Sequence, residues 1–226
     1  MIPWVRLGEA IVPGQADPMI LERRGDEYVI RVGSRALMGS RAHGSEAALA
    51  EWTCVRIADH PDPRVLIGGL GMGFTLAAAL RHLPATARVV VAELVPAVVD
   101  WNRGALAHLA DRPLDDPRVE VFVGDVAEPM RSGRSGLDAI LLDVDNGPTG
   151  LTRSANDALY SLTGLRVAFD ALKSGGVLGV WSVQGDPGFT QRLEAAGFQV
   201  EERSVRARVT RGGRHTSWLA TRTRFR

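Results

Sequence analysis

Arg64-Val65-Leu66-Ile67-Gly68-Gly69-Leu70-Gly71-Met72-Gly73-Phe74-Thr75 decides how the chain folds. Val65, Leu66 and Ile67 read as a buried parallel strand, the glycines as a tight turn, and Phe74, Leu76, Ala77, Leu80 and Leu83 as the apolar side of a helix. Glycine suits such a turn because a side chain would block a ligand lying against the backbone, while the helix N-terminus offers free N–H groups. The stretch therefore predicts a nucleoside pocket. Its spacing is Gly-x-Gly-x-Gly at 69, 71 and 73, whereas dinucleotide sites use Gly-x-Gly-x-x-Gly, so a ligand other than a dinucleotide is favoured. A glycine turn also serves as a plain strand-to-helix connection, and the residues around it have to decide.

Downstream, strand and helix patterns alternate. Strands are expected at 87–93, 118–123, 137–143 and 176–182, with Pro96 in the first turn of one helix and another helix ending near Lys173-Ser174-Gly175. Asp186-Pro187 opens a last helix that Gly197 closes, and two strand-like runs, 198–209 and 214–222, follow without an intervening helix. The expected fold is α/β: a doubly wound, mostly parallel seven-stranded sheet ending in an antiparallel hairpin. At the level of architecture this resembles the Rossmann-like class I S-adenosylmethionine-dependent methyltransferases. Upstream, Met19–Arg24 and Tyr28–Val32 around Gly25-Asp26 predict a hairpin, so residues 1–40 form a small β appendage and 41–226 the main domain. Between them Ser45 is expected to cap a helix over 46–59.

Composition bounds the function. The chain has 226 residues, 45% hydrophobic and 23% charged, enough for a full core, and a net charge of +1 gives no general attraction to nucleic acid or membrane. Cys54 is the single cysteine, which excludes an intramolecular disulfide and a cysteine zinc cage, and it reads as a packed thiol. The N-terminus lacks the charged and apolar regions of a signal peptide, and no apolar run is long enough to cross a bilayer, so a cytoplasmic protein is expected.

Three acids close three of the strands. In a doubly wound sheet, ligands bind outside the carboxyl ends of the strands, where Glu93, Asp125 and Asp143 fall. Glu93 lies at the distance from the glycine turn where an acid accepts from ribose hydroxyls, and Asp125 can accept from an exocyclic amine such as that of adenine. Any one of them alone reads first as an acid capping the next helix. All three in register point to one crevice.

His43-Gly44-Ser45-Glu46, Pro63-Arg64-Val65-Leu66-Ile67-Gly68-Gly69, Glu93-Leu94-Val95-Pro96, Asp115-Asp116-Pro117-Arg118-Val119-Glu120, Gly124-Asp125, Leu141-Leu142-Asp143 and Leu172-Lys173-Ser174-Gly175-Gly176-Val177 follow one another in order. Together they resemble the spermidine synthases, aminopropyltransferases on a methyltransferase-like fold, from about residue 40 to 182. The resemblance implies that Gly69, Gly71, Gly73, Glu93, Leu94, Asp125 and Val126 bind the sulfonium nucleoside, with Glu93 on the ribose and Asp125 on the adenine amine. It also implies Asp143 as the acid beside the reacting amine, with Asp145 sharing that work, and His43 and Tyr160 on the acceptor. Neither reaction considered below needs a metal, and the His and Cys spacing offers no ligand set. In the resembling family the N-terminal β domain often serves as a dimer surface, which makes a homodimer an expectation here.

The departures are specific. Gly71 stands where the family's glycine loop has an aspartate that helps hold amine cations, and the family's Asp-Ser-x-Asp-Pro becomes Asp143-Val144-Asp145-Asn146-Gly147-Pro148. Two chemistries stay open. One is aminopropyl transfer from decarboxylated S-adenosylmethionine to a diamine such as putrescine, which needs carboxylates around the amine. The other is methyl transfer from S-adenosylmethionine to a small molecule, which rests on positioning and exclusion of water. Residues 149–158 read as a polar loop able to cover the crevice or as plain surface. From Arg203 to the C-terminus there are eight arginines and no acid, which reads as a solvated sheet face ahead of an RNA-contacting strip. A non-catalytic nucleoside-binding protein is the third reading.

Overall fold

A computed structural model describes residues 2–133, 136–144, 147–148, 154–206 and 213–223. The larger of its two sheets has seven strands in the order β10-β11-β9-β8-β5-β6-β7. Its parallel strands are β5 (Arg64–Gly68), β6 (Arg88–Glu93), β7 (Val119–Val123), β8 (Leu137–Leu142) and β9 (Leu172–Ser182). β10 (Phe198–Arg206) and β11 (Arg214–Arg222) form the antiparallel hairpin, with β11 against β9. This is the predicted architecture.

β5 lies at the centre, buried on both faces, which is why Val65, Leu66 and Ile67 form a continuous apolar run. The pleat sends Val65 and Ile67 to one core and Leu66 to the other. The first core takes in α1 (Gly44–Cys54), α2 (Phe74–His82) and α3 (Pro96–Arg103) through Leu49, Leu76 and Val98. The second takes in α4 (Ala127–Ser132), α6 (Leu162–Ala171) and α7 (Pro187–Ala195) through Met130, Leu165 and Phe189, with Trp218 of β11 wholly buried among them. Side chains of that size each contribute about 1.5–3 kcal/mol by burial. Between them α5 (Ser154–Leu159) is a short helix.

The N-terminal strands β1 (Val5–Ala10), β2 (Met19–Arg24), β3 (Glu27–Val32) and β4 (Arg35–Gly39) make a separate antiparallel sheet in sequence order. The predicted hairpin is there, with Leu21 opposite Ile30 and Arg23 opposite Tyr28. Leu21, Tyr28 and Ile30 pack on Met72 of the glycine turn, which seats this sheet over the strand ends.

Three local expectations change. Ser45 does not cap α1: His43 holds the cap position without a side-chain bond, and the Ser45 hydroxyl turns to Glu46 instead. That helix ends at Cys54 and continues only as a 3-10 turn over Val55–Ile57. The helix expected to reach Lys173 stops at Ala171, because Leu172 already pairs with Leu137 of β8 and tertiary pairing overrides the glycine stop signal.

At the amino end of β8, Asp138 is buried and fully engaged. It accepts from the Arg64 backbone N–H at 2.8 Å, from Lys173 Nζ at 2.7 Å, and bonds His60 Nδ1 at 2.8 Å. Burial works to raise its pKa, but these donors outweigh it and hold the carboxyl below its ordinary value. No helix among the described residues is long and apolar enough to cross a membrane.

Candidate functional site

The strand order reverses at β5, with β6 on one side and β8 on the other. A crevice opens there at the carboxyl ends. The Asp143 N–H donates to Gly68 O at 2.9 Å and the Gly69 N–H to Ala92 O at 2.9 Å, which fixes the start of the glycine turn between its neighbours. Gly69 has φ +88°, and a Cβ there would stand 2.2 Å from the Asp143 carbonyl oxygen, so no other residue fits. Gly71 has φ +52°, and its open side is filled by Met38 of β4, whose Cε would lie 2.6 Å from an added Cβ.

A cleft of about 160 Å³ results. Its floor includes Gly69, Gly71, Leu94 and Val126, and the N-terminal sheet roofs it with Met19, Ile30 and Met38. Four carboxylates line it: Glu46, Glu93, Asp125 and Asp143. Among the described lining residues there is no lysine, arginine or histidine.

The four acids differ. Glu93, at the end of β6, accepts from the Leu70 N–H at Oε2 and from the Val95 N–H at Oε1, both at 2.9 Å, and so ties the glycine turn to the next strand. Burial raises its pKa despite those bonds. Asp125 is exposed and accepts from the Ala127 N–H at 2.8 Å in the turn just before α4, whose cap position is Val126, while also lining the cleft. Asp143 is half-buried in the cleft wall. Burial, and then the nearby charge of Glu46, push its carboxyl up to about 7, against a hydrogen bond from the Thr75 hydroxyl. Glu46, 8% exposed, takes a 2.6 Å bond from Ser45 Oγ, and burial raises its pKa as well.

Gly69, Gly71, Glu93, Leu94, Asp125, Val126 and Asp143 thus meet at one cleft, as the sequence predicts. Gly73 instead takes φ +84° at the cap of α2 and is not part of the lining. His43 is exposed and stacks on Phe74 at 4.2 Å, outside the lining, and Tyr160 is buried in the second core, edge-on to Phe189 at 5.7 Å. Asp145 lies outside the described residues, as do 149–153 of the expected covering loop. Of the C-terminal arginines, Arg203 bonds Glu201, Arg214 bonds Ser204, and Arg222 reaches the Phe169 and Leu172 carbonyls, so these three serve the sheet itself. Arg208, Arg211, Arg224 and Arg226 lie outside the described residues.

Sequence reasoning missed Glu46, Thr75, Met38 and Trp181. Glu46 stands in the quoted His43-Gly44-Ser45-Glu46 run with no role attached to it, and Trp181 stands only as part of the expected 176–182 strand. Thr75, one residue past the opening of α2, carried a signal that a helix-start hydroxyl faces the ligand edge.

Comparison with known proteins fits this geometry. The profile of the spermine/spermidine synthase domain matches residues 53–195. A polyamine aminopropyltransferase of Thermoanaerobacter sp. (strain X514) is 30% identical over 125 residues, 55% of this chain and 43% of that protein. One of Nitrosomonas europaea is 38% identical over 120 residues, 53% of this chain and 35% of its own length. Each match therefore spans less than half of the curated relative. The crystal structure of spermidine synthase from Thermotoga maritima superposes with a TM-score of 0.71 over 96% of this chain and 72% of that one, at 19% identity, which shares the fold. With the domain profile covering more than half of the chain and the strand-end acids meeting at one cleft, the protein belongs to the spermine/spermidine synthase family.

Proposed function

We propose that this protein transfers an aminopropyl group from decarboxylated S-adenosylmethionine to a diamine such as putrescine, in the cytoplasm. The observation that carries this reading is the charge of the cleft: four carboxylates and no cationic side chain among its described lining residues. A donor that kept its own carboxylate would be repelled there, whereas a sulfonium with an ammonium end, and an amine acceptor, are attracted.

In this reading Glu93 takes the ribose hydroxyls while holding the glycine turn. Asp125 accepts from the adenine amine, Leu94 and Val126 pack on the base, and the turn at Gly69 and Gly71 lets the nucleoside approach the backbone. Asp143 stands beside the acceptor nitrogen. The nitrogen lone pair forms a bond to the propyl carbon next to sulfur, the C–S bond breaks with its electrons going to sulfur, and the nitrogen's proton passes to Asp143. A carboxyl at about 7 is matched to taking that proton near neutral pH. Asp145 remains a proposed partner in this step, His43 and Tyr160 proposed acceptor contacts that would need movement to reach the cleft, and 1–40 and 41–226 the proposed division of the chain. Ile2, Val5 and Ile11, apolar and exposed on the N-terminal sheet side, support pairing of two copies through it, which sedimentation checks.

One observation favours methyl transfer as a second reading. Met38 fills the space over Gly71, where the family's loop aspartate would stand, so that part of the cleft is apolar. Product analysis separates the two. With decarboxylated S-adenosylmethionine and putrescine the account expects spermidine and methylthioadenosine; S-adenosylhomocysteine formed from S-adenosylmethionine would establish methyl transfer instead.

A further inference from the structure

We infer that Glu46 holds the cationic nitrogen of the acceptor while Asp143 serves the attacking one, and that His215 of β11, acting through Ser45, keeps Glu46 in place. The inference rests on the aminopropyl reading. Two of the four cleft acids already spend their oxygens on backbone N–H groups, Glu93 on Leu70 and Val95 and Asp125 on Ala127. Glu46 and Asp143 are different: neither is tied to the backbone of a neighbouring residue, Ser45 donating a hydroxyl bond to one and Thr75 to the other, and both line the cleft, Glu46 buried and Asp143 half-buried.

Glu46 lies close enough for its charge to raise the proton affinity of Asp143, an unfavourable pairing in an empty cleft that a cation between the two carboxylates relieves. An aromatic side chain stands beside them in the same wall. Trp181 lines the same cleft, is 7% exposed, and its buried indole N–H has no acceptor among the described residues. Its ring offers a face for an ammonium group. The place over Gly71 is closed by Met38, so the acid missing from the glycine turn is replaced from α1 rather than restored in the turn.

The support for Glu46 comes from the far end of the chain. Ser45 Oγ donates to Glu46 and lies 2.9 Å from His215 Nδ1, so the ring N–H donates to the hydroxyl in that arrangement. His215 packs edge-on to Trp181 at 4.8 Å, and burial lowers its pKa, which favours the neutral ring that this chain of bonds uses. The C-terminal hairpin thereby positions an acid that the helix alone leaves free to turn.

The test compares putrescine with 1-aminobutane, which lacks the second nitrogen. Wild-type protein should show a KM for putrescine well below that for 1-aminobutane. Glu46→Gln should raise the putrescine KM about tenfold or more, leave 1-aminobutane and methylthioadenosine binding within about twofold, and so erase the preference. Ser45→Ala and His215→Ala should raise the putrescine KM by about threefold each, with kcat kept. An unchanged putrescine preference in Glu46→Gln overturns the inference, as does an unchanged KM in Ser45→Ala should Glu46→Gln fail to fold. Wild-type protein that binds no methylthioadenosine would remove the aminopropyl reading itself, a failure visible before any variant is made.

Discussion

The two ends of β8 carry two aspartates five residues apart in sequence, and they have opposite characters. Asp138 at the amino end has three donors and a carboxyl held below its ordinary value, and Asp143 just past the carboxyl end has one and is pushed up to about 7. The residue type is the same, and the difference lies in what surrounds each carboxyl. At the amino end the chain supplies a lysine, a histidine and a backbone N–H, and the acid is a fastening. At the carboxyl end it supplies a hydroxyl and another acid, leaving a carboxyl that holds its proton more tightly than usual, the group the proposed reaction uses. Stability is spent at one end to keep chemistry available at the other.

Asp143→Asn should show the largest effect, a fall in turnover of about a thousandfold with methylthioadenosine affinity kept within about twofold, because only the proton acceptor is lost. Steady-state rates against calorimetric affinities check this, and full activity would remove Asp143 from the reaction. Asp138→Ala should do the reverse: a loss of about 3 kcal/mol in denaturant unfolding, since Lys173, the His60 ring and the Arg64 N–H all lose their partner, with nucleoside affinity of the folded protein unchanged.

The pH dependence of stability should also split the two ends. The Asp143 carboxyl is higher in the folded state than its ordinary 3.8, so the folded protein binds the proton more tightly. Its contribution is present below about pH 4 and lost as pH rises through about 7. Asp143→Asn should therefore gain stability relative to wild type between pH 5 and 8, on the order of 2 kcal/mol at the upper end. Asp138, held low, contributes above its ordinary 3.8 and loses that contribution as pH falls, so its removal should flatten the acid limb. Equal slopes for both variants in thermal melts would dissolve the contrast.

Smaller effects concern the glycine turn. Glu93→Gln should weaken methylthioadenosine binding about tenfold by calorimetry, as the amide cannot accept at both of its ends from the Leu70 and Val95 N–H groups. Gly71→Asp should cost about 1 kcal/mol, because φ is +52° and Met38 has to move, and it sharpens the question of whether an acid there improves amine binding.

Most of this fold was legible because it is written in local pattern. The β5 run, the glycine turn, Pro96 at the head of α3 and Asp186-Pro187 at the head of α7 each say one thing, and each element stands where those residues place it. Gly175 misled because a glycine stop signal lies inside a strand whose pairing with Leu137 starts earlier. The meeting of the strand-end acids was legible for a related reason: Glu93, Asp125 and Asp143 sit at strand ends, and parallel topology alone brings such ends together. Glu46, Trp181 and Met38 come from a helix, a distant strand and the N-terminal sheet, and only packing shows that they share one cleft. His43 and Tyr160 followed the resemblance, and the one rests on Phe74 and the other on Phe189 instead.

The most direct test of the central claim, that this acid-lined cleft selects a sulfonium nucleoside without a carboxylate, is calorimetric titration of the protein with S-adenosylmethionine, decarboxylated S-adenosylmethionine, S-adenosylhomocysteine and methylthioadenosine. Within each donor and product pair the account predicts tighter binding of the decarboxylated member. Tighter binding of S-adenosylmethionine and S-adenosylhomocysteine would contradict it.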